Sequence, residues 1–106
     1  MSNACGAASI PGKPQVCISW TASTTPSVTY SVFRSTAAGG ENYASPLNVS
    51  PITGTSYLDS TATAGTEYFY TIVAVLGGYM SAPSSEVSVQ IPTPPAAPTA
   101  PVAAIV

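Results

Sequence analysis

The chain has 106 residues, of which 45% are hydrophobic and 6% charged, with 8 Gly, 11 Pro, 2 Cys and no His. Its two basic residues, Lys13 and Arg34, stand against Glu41, Asp59, Glu67 and Glu86, for a net charge of −2. Such a length holds one domain; two cations cannot neutralise a phosphate backbone, and without histidine the commonest general base and metal ligand are missing.

These figures exclude nucleic acid as a partner and make hydrolytic catalysis improbable. Val, Ile, Tyr and Trp are frequent enough to build a core, while Ser, Thr, Asn and Gln must cover it. No run of 18 apolar residues is present, so no membrane insertion is expected. Residues 1–4 lack the basic and apolar regions of a secretory signal. They are expected to be a remnant of expression or a disordered start.

Cys5 and Cys17 enclose eleven residues that include Pro11, Gly12 and Pro14. That interval reads as a strand, a turn and a returning strand, which would set the two cysteines opposite one another. A bridge would imply an oxidising compartment; the alternative is two free thiols. Neither a CxxC redox motif nor a four-ligand zinc set is present, so no cofactor or metal is expected.

The run 15–21 alternates, placing Val16, Ile18 and Trp20 on one face and Cys17 and Ser19 on the other. Residues 22–27 form a loop with Pro26. The next strand, 28–35, turns Tyr30 and Val32 inward and Ser31 and Phe33 outward. After Gly39 and Gly40, the stretch 43–49 reads as a weaker edge strand because it contains Pro46. A short strand over 55–59 offers Tyr57 to the core. The strongest strand, 66–75, sets Tyr68, Tyr70, Ile72 and Ala74 against Phe69, Thr71, Val73 and Val75. A loop at Gly77, Gly78 and Tyr79 follows, and Val87, Val89 and Ile91 line a last strand. About seven strands without a crossover helix point to an all-β, two-layer antiparallel sandwich. The run 92–101 carries five prolines and should be extended polyproline II within a linker or tail, 92–106.

Five fragments occur in a telling order: Ile18-Ser19-Trp20, Tyr30-Ser31-Val32, Gly54 through Asp59, Ala64-Gly65-Thr66-Glu67-Tyr68, and Ser81 through Val87. Together they resemble a fibronectin type III domain of the kind found in bacterial and phage extracellular proteins, over residues 5–91. The resemblance implies an immunoglobulin-like fibronectin type III topology with Trp20 anchored between the sheets. It also implies a tyrosine corner at Tyr68, its hydroxyl bonding backbone near Ala62. Ala62 and Ala64 stand where leucine and proline are usual, a departure that bears on the turn. True immunoglobulin domains place cysteines on both sides of the tryptophan, whereas both cysteines here precede Trp20.

The carboxylates read as solvated side chains, and no base stands ready to pair with a serine. Asp59 fits no calcium-loop spacing. Phe33 and Phe69, with Val73, would form an outward apolar patch, with Tyr43 and the loop residue Tyr79 as further contact candidates. The adhesion tripeptide Arg-Gly-Asp is absent from the loop 76–80. Asn48-Val49-Ser50 matches a glycosylation sequon, though Pro51 follows.

The expected role is therefore a non-catalytic spacer or protein-interaction module of a larger extracellular, cell-surface or virion protein, with neighbouring domains as partners. The alternative is a carbohydrate-binding accessory module of a secreted polysaccharide-degrading enzyme, contacting a polysaccharide through Phe33, Phe69, Tyr43 or Tyr79.

Overall fold

The computed structural model describes residues 4–106, so the expectation for residues 1–3 lies outside it. Six strands form: β1 (Val16–Ser19), β2 (Thr29–Ser35), β3 (Ser56–Asp59), β4 (Glu67–Leu76), β5 (Tyr79–Met80) and β6 (Val87–Gln90). Among the described residues there is no helix, and every ladder is antiparallel. β1 pairs with β3 in one sheet; in the other, β4 lies between β2 and the pair β5 and β6.

The registers follow from alternation. Tyr30 faces Ala74, Val32 faces Ile72 and Arg34 faces Tyr70, so one face of β2 and β4 collects rings and branched chains. Ile18 from β1 joins Tyr30, Val32, Tyr68, Tyr70, Ile72 and Ile91 in a single buried cluster, fed by both sheets. Trp20 lies one residue beyond β1 and is only partly buried. It meets Tyr30 edge-on at 5.4 Å and bonds Thr55 through its backbone. Its indole Nε1 is buried without a protein acceptor among the described residues. Tyr57 is also partly buried.

Two expected strands are not formed. The segment 43–49 is an irregular strap across the edge of β2. Pro46 lacks an amide hydrogen for a ladder, and Asn48 replaces one: its Oδ1 accepts from Val32 N at 2.8 Å while Leu47 N donates to Val32 O at 2.7 Å. Asn48 is itself buried, its Nδ2 donating to Ser50 O, so the sequon asparagine is a structural fastener. Among the described residues before β1 no strand forms either; a bridge closes the Ile10–Lys13 turn.

The last strand is split in two by Pro83. Between β5 and β6, Ser81 and Ser84 take over from the ladder: each donates its N–H to a β4 carbonyl and accepts a β4 N–H on its hydroxyl, at Ala74 and Ile72 respectively. The loop expected at 77–79 is tighter than the sequence implied. Leu76 pairs with Tyr79 across a two-residue turn, and Gly77 and Gly78 both have positive φ, 57° and 85°, the requirement of a type I′ hairpin.

Candidate functional site

The most concentrated chemistry in the molecule is a buried ionic cluster between the sheets. Asp59, the last residue of β3, is 1% exposed. Its Oδ2 accepts from Arg34 Nη1 at 2.8 Å and from the Tyr70 hydroxyl at 2.6 Å. Its Oδ1 accepts from Thr61 N at 2.9 Å and Thr61 Oγ1 at 2.6 Å. The Asp59 side chain therefore belongs to one sheet and its Arg34 and Tyr70 donors to the other. The expectation of a solvated carboxylate at position 59 is wrong, because the side chain shares the inward face of Tyr57.

Burial alone would push the Asp59 carboxyl up, but donors from Thr61, Tyr70 and Arg34 outweigh it and hold the group below the usual carboxylate range. Burial opposes the charge on Arg34, and the hydrogen bond and field of Asp59 more than compensate, so its proton is held more tightly than usual. The Tyr70 phenol is pushed upward by burial and by the carboxylate it donates to. The guanidinium also lies over the Tyr68 ring at 4.7 Å. All four bonds to Asp59 come from groups that hold the ionised form. Such a carboxylate binds the two layers together and has little lone-pair capacity left for a substrate.

Tyr68 connects this cluster to the turn before β4. Its hydroxyl accepts from Thr63 N at 2.9 Å, one residue from the position the resemblance implied. Gly65, with φ of 77°, bonds Ile91 O through its N–H and lets the chain reverse into β4.

The apolar patch expected on the outer face is not exposed. Phe33 and Val73 are each 1% exposed, and Phe69 is partly buried. Tyr43 lies over Phe33 at 4.8 Å between centroids, and its hydroxyl is 3.0 Å from Thr71 Oγ1. The 43–49 strap thus covers the face that alternation had turned toward water. Tyr79 stands apart from these, 84% exposed at the hairpin tip between half-exposed Leu76 and Met80.

Cys5 and Cys17 lie at disulfide distance, their Cα atoms 5.9 Å apart, which fits an oxidising setting. No helix among the described residues is long and apolar enough to cross a membrane. Also among them, no group of three or more His, Cys, Asp or Glu is placed to hold a metal ion. Comparison with known proteins found no matching family model and no matching curated relative.

The Asp59 cluster was within reach of the sequence. Period two puts Arg34 on the face of Tyr30 and Val32, and Asp59 on the face of Tyr57. Two opposite charges on inward faces are expected to find each other. Thr61, two residues after Asp59, is the spacing of a side-chain turn.

Proposed function

We propose that the chain is a non-catalytic module of fibronectin type III type that holds neighbouring domains of an extracellular or surface protein at a set distance. The observation that carries this reading is the pairing of a locked body with an extended tail. The Asp59 clasp and the cores on both faces of the β2–β4 sheet resist relative motion of the layers. Beyond Ile91 no regular structure forms, and every residue of 92–106 is exposed. Support for the family comes from the grouping of β1 with β3 and of β2 with β4 to β6, and from the Tyr68 hydroxyl bond.

A second reading, contact with a polysaccharide, draws mainly on Tyr79, with Tyr43 exposed to 37%, since Phe33 and Val73 are covered. The two readings separate when the chain is placed between a donor and an acceptor fluorescent protein. As a spacer it gives a fixed transfer efficiency, which rises when the prolines of 92–101 are replaced by Gly and Ser. Unchanged efficiency after that replacement would contradict the spacer role. Retention on insoluble glycans that disappears in Tyr79→Ala would favour the second reading.

A further inference from the structure

A covalent tie joins the start of the chain to β1. Cys17 lies within β1, and Cys5 reaches it with the two Cα atoms 5.9 Å apart. Between them the chain reverses at the turn that Lys13 N closes on Ile10 O at 3.0 Å. Residues 5–9 therefore run back beside β1 as an arm, yet they form no ladder with it. Ala7 through Ser9 line a hollow of about 470 Å³, together with Cys17 and Leu58 of the small sheet and with Val89 and Ile91 at the end of the large one.

The two-sheet body does not depend on this arm. No residue of 4–15 belongs to the core cluster or packs against it, whereas Ile18, next to Cys17, is 5% exposed within it. The ladder to β3, from Val16 opposite Asp59 to Ser19 opposite Ser56, holds β1 from its other edge. Between Cys5 and the turn the arm carries only Gly6, Ala7, Ala8 and Ser9. Side chains this small bury little apolar surface, so the bond to Cys17 is what places them.

That bond is open to chemistry. Cys5 and Cys17 are half-buried and not sealed in the core. Cys17 lines the hollow, and among the described residues Lys13 is the one charged side chain lining it. A cation with no competing carboxylate draws in an attacking thiolate and favours a departing one.

We infer that Cys5–Cys17 is a redox latch: reduction by a dithiol releases the arm 5–9, bares the edge of β1 and the apolar floor of the hollow, and leaves both sheets folded. One thiolate of the dithiol attacks a cysteine sulfur and expels the other cysteine as a thiolate. The second sulfur of the dithiol then displaces the first cysteine. The dithiol ends as a disulfide, and its two protons and two electrons pass to Cys5 and Cys17. The same exchange run backward, with the oxidised dithiol, closes the arm again. This inference stands apart from the spacer role, which survives its failure.

Dithiothreitol added to the whole chain in native buffer tests it, with alkylation and mass spectrometry to count thiols and amide NMR to follow the fold. Both cysteines are expected to alkylate. The amide signals of 6–9 should move to unstructured positions, while those of β2 and β4 stay in place. A hydrophobic dye should gain fluorescence on the reduced chain as Leu58 and Val89 are bared. The double variant Cys5→Ser, Cys17→Ser should give the reduced spectrum without any reductant and should melt lower, in a single transition. A bond that yields only in urea, once β2 and β4 unfold, would overturn the inference. So would a reduced chain whose 6–9 signals remain in place, or one that loses the β2 and β4 signals.

Discussion

Removing the Tyr70 hydroxyl takes away one of four donors to Asp59 and leaves the ring packed in place. Because the bond is to a buried charge, Tyr70→Phe is expected to cost about 1.5–3 kcal/mol, read as a lower urea midpoint. The carboxylate also sets the response to acid. A carboxyl whose value is lower in the folded state contributes stability above the unfolded value of about 3.9, and that contribution is lost as pH falls through the folded value. The midpoint should thus fall below about pH 4, and Asp59→Asn, less stable at neutral pH, should show a shallower acid fall in the same titration. Glu41 has the opposite sign. Burial and the neighbouring Glu86 push its carboxyl up, so the ionised form weighs against folding at neutral pH. Glu41→Gln is expected to raise the midpoint at pH 7 and to match the parent in acid, where both forms are neutral.

At the scale of elements, β2 and β4 were legible because each alternates without interruption and their paired faces become the core and the strapped outer layer. Where alternation gave out, so did the reading. Pro46 and Asn48 turn the expected edge strand into a fastener, and this also buries Phe33, since alternation states which face a side chain takes but not what covers that face. The ladder of hydroxyls at Ser81 and Ser84 was hidden for a similar reason: a serine imitating a backbone group leaves no periodic signal. The β4–β5 hairpin makes a direct check. At Gly78, φ is 85° and no atom crowds the Cβ position, so Gly78→Ala meets strain in the backbone alone. It should cost about 1–2 kcal/mol in thermal melting. It should also speed amide exchange at β5, leaving β2 unchanged.

For the molecule as a whole, shape is the property most closely tied to the proposed role. A compact domain of this length has a radius of gyration of about 13 Å, whereas this chain has 17.7 Å and extents of 67 × 27 × 21 Å. The excess is consistent with the exposed tail, bent at Ala100 where φ is 48°, standing off a locked two-sheet body. Small-angle scattering extrapolated to zero concentration, so that single molecules are observed, tests this most directly. The account predicts a radius near 17.7 Å that drops toward about 13 Å when residues 92–106 are removed. A radius already near the compact value in the whole chain would mean that the tail folds back on the body, and would contradict a module that sets distance.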